Sequence, residues 1–247
     1  MPDAGVSPFP EPLVAIVFDL DGTLVLSHHD FPRMRTEAIR VAEKHGVLAG
    51  QLSPSQPIAR IMDKSRAELE AQNVPEGTIF RMESEVHELI DKIELEALPT
   101  TVSRPHAARL LAALTARGYK LGILTRSCEA FCRGALFRTG LLDYFPYLRT
   151  RSAAGPAKPS PEALLLLLKD MEVPAARAVF VGDHPLDAEC ATRARVTFAG
   201  VLSDPADPTE MTEEKFRNAG AVATAADLEE LGRLLRVLPE PAMPEPA

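Results

Sequence analysis

Apolar and polar positions alternate along this chain in two distinct rhythms. Short, nearly continuous apolar runs occupy residues 14–18, 121–124, 178–181 and 196–201, with weaker ones at 147–149 and 221–222. Continuous apolar character predicts parallel strands covered on both faces. Helical spacing fills the intervals between them. In "HAARLLAALTAR", Ser103 is the expected N-cap, Pro105 sits in the first turn and Gly118 follows the last. A second helix starts near Pro161 in "SPEALLLLLKDM"; its leucines wrap most of the circumference, which predicts a helix enclosed by core. Strands alternating with helices predict an α/β fold with a doubly wound, mainly parallel sheet.

From about Asp30 to Leu98 this alternation stops and only helical patterns remain. "FPRMRTEAIRVAEKHG" places Met34, Ala38, Val41 and Ala42 on one stripe, closed by Gly46. "SRAELEAQ" has the spacing of a capping box, Ser65 with Glu68. Ile79, Met82, Val86, Leu89, Ile90 and Ile93 repeat at helical intervals. The expected organisation is an α/β core of residues 13–27 and 99–238, with an α-helical cap inserted at 28–98. Proline-rich tails at 1–12 and 239–247 cannot build a core and are expected to be disordered.

Composition narrows the partners. The chain has 247 residues, 46% hydrophobic and 25% charged, with a formal net charge of -8. Without a basic block, neither nucleic acid nor an anionic membrane is an expected partner. No apolar run approaches the roughly 18 residues of a membrane span, and no basic region followed by an apolar one marks a signal peptide. Cys128, Cys132 and Cys190 are odd in number and lack a Cys-x-x-Cys pair. Buried free thiols and a cytoplasmic location are therefore expected.

The candidate chemistry lies where the strands end, because open α/β sheets bind ligands beyond their carboxyl edge. The first strand ends in "FDLDGTL", which supplies Asp19, Asp21 and Gly22. Thr125, Arg126 and Ser127 follow the second, and Gly182, Asp183, His184 and Asp187 follow the run at 178–181. Lys158 precedes a helix in "AKPSPE". Each has a plainer reading alone. Asp19 and Asp21 suit a turn, Thr125 an N-cap, and Asp187 a helix-dipole partner. Lys158, His184, His28 and His29 suit solvated loops, and Arg126 suits solvent as well as phosphate. Together, four carboxylates would repel one another unless a hard divalent cation such as Mg²⁺ joined them. The lysine and the strand-end N–H groups suit a phosphate.

In this order, "DLDGTL", Thr125 after an apolar strand, Lys158 before a helix, and "GDHPLD" resemble the four motifs of the haloacid dehalogenase-like superfamily, whose core is Rossmann-like. The resemblance covers the core of about 165 residues, and the helical segment sits where that family's cap lies. His184 stands where members often carry serine. The resemblance implies that Asp19 is a nucleophile and that Asp21 is an acid and base. It implies that Asp183, Asp19 and the Asp21 carbonyl hold Mg²⁺, with Asp187 beside them, and that Thr125 and Lys158 hold the phosphoryl group. Gly22 and Arg126 are expected near the phosphate. Among the arginines of the cap, Arg33, Arg35, Arg60 and Arg66, most suit a solvated surface, and at least one of Arg33, Arg35 and Arg60 is expected to meet the leaving group.

The implied activity is hydrolysis of a small phosphorylated metabolite, as in phosphoglycolate phosphatase-like members. Asp21 argues against dehalogenation, which needs no proton for a leaving alkoxide. Nothing marks Lys44, Lys64 or Lys92 as a Schiff-base lysine. A sugar-phosphate mutase and a non-catalytic phospho-aspartate switch remain alternatives at this point.

Overall fold

The computed structural model describes residues 7–202 and 211–240. Its elements, in chain order, are β1 (Ala15–Phe18), β2 (Val25–Leu26), α1 (Phe31–Lys44), α2 (Ile58–Ala71), α3 (Glu76–Ala97), β3 (Val102–Ser103), α4 (Ala107–Ala116) and β4 (Lys120–Leu124). They continue as α5 (Glu129–Arg138), β5 (Tyr147–Arg149), α6 (Pro161–Asp170), β6 (Ala178–Gly182), α7 (Pro185–Ala194), β7 (Thr197–Val201), α8 (Glu213–Asn218), β8 (Ala223–Ala225) and α9 (Leu228–Leu234).

Six strands form one sheet in the order β5-β4-β1-β6-β7-β8, and every pairing in it is parallel. β1 lies between β4 and β6, with Phe18 opposite both Ile123 and Val181. From β1 the chain builds outward through β4 and β5, then returns to build β6, β7 and β8 on the other side. The order thus reverses beside β1, which sets its carboxyl end at the switch point where such sheets bind ligands. Alternation along the strands sends Ala15, Val17, Phe180 and Phe198 to one face. There they pack with Leu164, Leu167, Ala188, Ala191 and Phe216.

The chain divides into two compact units, residues 28–100 and the remainder. The helical unit has its own core. Met34, Ala38, Val41 and Ala42 of α1 meet Ile61 and Leu69 of α2 and Ile79, Met82, Val86, Ile90 and Ile93 of α3. Ion pairs tie the same helices. Arg66 engages Glu70, Glu76 and Glu83, and Glu85 receives both Lys44 and His45. Among the described residues, no helix is long and apolar enough to cross a membrane.

Several local expectations give way to tertiary context. Ser65 caps nothing: α2 already runs through it, and its hydroxyl donates to the Ile61 carbonyl at 2.7 Å. Ser103 pairs with Val25 in the two-stranded ribbon of β2 and β3, so α4 begins only after His106, whose φ is +67°. The last strand lies at 223–225 rather than 221–222, and Val222 is exposed. α6 is not enclosed. Leu164, Leu167 and Leu168 are buried, whereas Leu165 and Leu166 are exposed. Five consecutive leucines cannot all face one side of a 3.6-residue helix. In the expected N-terminal tail, Phe9 is buried and the Pro12 carbonyl accepts from Arg177 Nε at 3.2 Å, so residues 7–12 pack against the core. Residues 1–6 and 241–247 lie outside the described residues.

Leu164→Ala should therefore destabilise the protein by roughly 2–4 kcal/mol, while Leu165→Glu should stay within about 0.5 kcal/mol of wild type in urea denaturation. Equal losses at the two positions would restore the enclosed-helix reading.

Candidate active site

Each polar group at the carboxyl edge of the sheet is placed by a backbone feature of its own. Asp19 follows β1 and is fixed by its backbone N–H, which donates to the Val181 carbonyl at 2.8 Å. Its Oδ1 accepts from the Leu20 N–H at 2.7 Å. Asp183 follows β6, and Asp187 lies in the first turn of α7. His184 is the N-cap of that helix: its Nδ1 accepts from the Leu186 N–H at 3.2 Å, and Asp187 Oδ2 accepts from the His184 N–H at 3.1 Å. The histidine that looked like a loop residue thus closes a capping box whose other half is an active-edge carboxylate.

The carboxylates converge. Asp19, Asp183 and Asp187 are all buried, and each brings an oxygen within 4.8 Å of the others. Lys158 is buried among them, with Nζ 2.7 Å from Asp19 Oδ1 and 2.8 Å from Asp187 Oδ1. It lies 5.5 Å above the Phe180 ring. Asp183 accepts from the Thr23 hydroxyl at 2.5 Å. Asp21 stands apart from this cluster and is only partly buried; its Oδ1 accepts from Ser27 N–H at 3.1 Å and Ser27 Oγ at 2.6 Å.

Two glycines allow this crowding. At Gly22, φ is +82° and a Cβ would collide with the Asp183 carboxylate. At Gly182 a Cβ would collide with Asp187. A side chain at either position would push a carboxylate out of the cluster.

Burial sets the electrostatics. It is the main cause that pushes Asp19 up to about 6 from the ordinary 3.8; Lys158 opposes the shift and Asp187 adds to it. Asp183 is raised well above the ordinary value, first by burial and then by the charges of Asp19 and Asp187, against the Thr23 hydroxyl. For Lys158, burial alone would favour the neutral amine, but Asp187 and Asp19 outweigh it and hold the ammonium. Three buried carboxyl groups share one buried ammonium. The carboxyl donor set, all oxygen, fits a hard divalent cation.

The remaining expected residues make contacts of their own. Thr125 is buried after β4, where its Oγ1 accepts from the Ser127 N–H at 3.1 Å; the N-cap of α5 is Cys128 instead. Arg126 turns its Nη1 to the Lys158 carbonyl, which holds the lysine backbone. Arg151 Nη1 in turn donates to the Arg126 carbonyl at 2.7 Å. Within the helical unit, Arg33 is exposed and paired with Glu96 at 2.5 Å, Arg35 is half-buried and Arg60 is exposed. Sequence reading missed Thr23 and Ser27 as ligands of the two aspartates. It also missed Arg104, a buried arginine bonded to Gly22 and outside every motif.

Known proteins resemble this chain in sequence and in fold. The family model for haloacid dehalogenase-like hydrolases matches residues 13–195. A phosphoglycolate phosphatase of Rhodospirillum rubrum is 28% identical over 88% of this chain and 89% of its own. An N-acetylmuramic acid 6-phosphate phosphatase of Pseudomonas aeruginosa is 28% identical over 76% of this chain and 81% of its own. Among solved structures, a HAD family hydrolase from Deinococcus radiodurans superposes with a TM-score of 0.60 at 20% identity, over 94% of this chain and 97% of that one. The chain belongs to the haloacid dehalogenase-like hydrolases.

The raised carboxylate at Asp19 has a pH signature. A group that prefers its proton in the folded state contributes stability that is full below its unfolded value of 3.8 and is lost as pH rises through about 6. With chelator present, Asp19→Asn should therefore be more stable relative to wild type near pH ~7.5 than near pH ~4, as read by urea denaturation at both pH values. An advantage that stayed the same at both pH values would show that Asp19 is not held against its charge.

Proposed function

We propose that this haloacid dehalogenase-like hydrolase cleaves a small-molecule phosphate monoester, of phosphoglycolate or sugar-phosphate type, through an aspartyl-phosphate on Asp19. The observation that carries the reading is the buried triad in which one ammonium, Lys158, holds Asp19 and Asp187 beside Asp183. Lys158 keeps Asp19 ionised when the site closes around an anionic phosphate, and its own charge offsets that of the transferring group.

An Asp19 carboxylate oxygen attacks phosphorus as the bond to the leaving oxygen breaks, and Asp21 gives that oxygen its proton. Asp21, now a carboxylate, takes a proton from water. The water oxygen attacks phosphorus, the P–O bond of the acyl phosphate to Asp19 breaks, and phosphate and the Asp19 carboxylate are released. The two donors of Ser27 meet the same oxygen of Asp21 and so orient its carboxyl group for both proton transfers. Thr125 supports the phosphoryl oxygens, and Arg126 acts on Lys158 rather than on phosphate. Asp19, Asp183 and the Asp21 carbonyl would hold Mg²⁺, with Asp187 bonding its ligands, and the ion would supply positive charge to the phosphoryl oxygens.

The names of the relatives support a small phosphorylated substrate, since those proteins act on phosphoglycolate and on an amino-sugar phosphate. Asp21 with its paired serine favours turnover over a phospho-aspartate switch, which needs no acid for a leaving alcohol.

Wild-type protein should hydrolyse p-nitrophenyl phosphate steadily with Mg²⁺, lose that activity in EDTA, and be inhibited by Ca²⁺, whose looser coordination draws in both oxygens of the nucleophile. Asp19→Asn should lower kcat by at least about a thousandfold, since uncatalysed monoester hydrolysis is extremely slow. A variant that kept a tenth of wild-type kcat would remove Asp19 as the nucleophile. Full activity in EDTA would remove the metal, and a stable aspartyl-phosphate without turnover would favour the switch.

A further inference from the structure

Arg104 lies directly after β3 and is only 8% exposed. Its guanidinium donates through Nη1 to the Gly22 carbonyl and through Nη2 to the Leu202 carbonyl. Its backbone N–H donates to the Leu24 carbonyl at 2.9 Å. One residue thus ties the turn that follows Asp21 to the segment that follows β7.

That turn has a soft point. Gly22 has no Cβ and sits at φ +82°, so its own dihedrals restrain it less than those of any other residue there. Its N–H donates to the Val25 carbonyl at 2.8 Å, which fixes the peptide joining Asp21 to Gly22. Arg104 fixes the next peptide. With both peptide planes held, the Asp21 carbonyl keeps its direction and Gly22 keeps its contact with Asp183. A purely structural filler would not need a charge here, because an apolar side chain of similar volume avoids the desolvation penalty of a buried guanidinium. What the guanidinium adds is a planar fork that reaches acceptors on two separate segments.

We propose that Arg104 is a positioning residue. It clamps the Asp21–Gly22 turn against the end of β7, so that Asp19, Asp21 and Asp183 hold the spacing the reaction needs. It touches neither substrate nor cation and acts through Gly22. The kinetic consequence rests on the phosphatase reading; the clamp itself does not.

The test uses full-length Arg104→Met and Arg104→Lys. Hydrogen exchange across residues 19–26, measured with chelator present, reads the clamp alone. The expected result for Arg104→Met is amide exchange at least about tenfold faster in that segment, while distant core amides are unchanged. The Mg²⁺ concentration that half-saturates the thermal shift should rise about tenfold. With p-nitrophenyl phosphate, kcat should fall roughly 10–100-fold and KM should stay within about twofold, because a small misplacement near the chemistry acts on the transition state. Arg104→Lys, whose ammonium serves one carbonyl at a time, should fall between. Added guanidinium ion should restore part of the activity of Arg104→Ala.

Wild-type exchange in residues 19–26 together with wild-type kcat in Arg104→Met would overturn the proposal. If the methionine variant does not fold, the same two readings on Arg104→Lys decide it. If the wild-type enzyme neither hydrolyses the ester nor responds to Mg²⁺, the phosphatase reading fails and the exchange result alone judges Arg104.

Discussion

Lys158 is the constraint on which the site depends. Three aspartates are buried within reach of one another, and burial pushes Asp19 and Asp183 toward their protonated forms. A buried ammonium placed 2.7 Å from Asp19 and 2.8 Å from Asp187 changes that balance. It cannot pair with all three, so Asp183, pushed toward its protonated form by burial and by its neighbours' charges, accepts from the Thr23 hydroxyl instead. The fold thus crowds three carboxyl groups and one ammonium at the carboxyl edge, a donor set that suits a hard cation. A site built this way is costly when empty and stabilised by its ligands, as expected of a catalytic edge rather than a structural ion pair.

The lysine itself is held by its neighbours. Its carbonyl is gripped by Arg126, whose own carbonyl is gripped by Arg151. Asp187 is fixed by the capping box with His184, Asp21 by Ser27, and Gly22 by Arg104. Each of these four residues is therefore held by a partner outside the carboxylate cluster. Backbone carbonyls and N–H groups carry most of this support, so it is set by chain path more than by side-chain identity.

Much of the architecture was legible in the sequence, because two periodicities carry it. Continuous apolar runs gave β1, β4, β6 and β7 to within a residue or so, and the apolar stripe of α1 proved buried position for position. What misled were local signals with a stronger tertiary competitor. Ser65 has capping-box spacing, but α2 begins seven residues earlier because the buried Ile61 places its first turn in the helical core. Ser103 looked like a cap, but pairing with Val25 claimed it for a strand. Leu165 and Leu166 looked like core by type, but a helix with one covered face has no room for them.

The same division runs through the site. The order of the motifs named Asp19, Asp21, Asp183, Asp187, Lys158 and Thr125, because strand ends in a parallel sheet must collect at one edge whatever lies between them. Composition alone determined that free cysteines and a net negative charge would mark the chain. Only the tertiary structure decided which groups touch. It sent Arg126 to the Lys158 backbone, turned His184 into a cap, gave Asp183 the Thr23 hydroxyl, and brought Arg104 to a turn 82 residues away in sequence. The reason is physical. Strand and helix periods are local properties that a sequence states directly. The partner of a buried polar group, in contrast, is whichever donor or acceptor the packed chain happens to bring within about 3 Å.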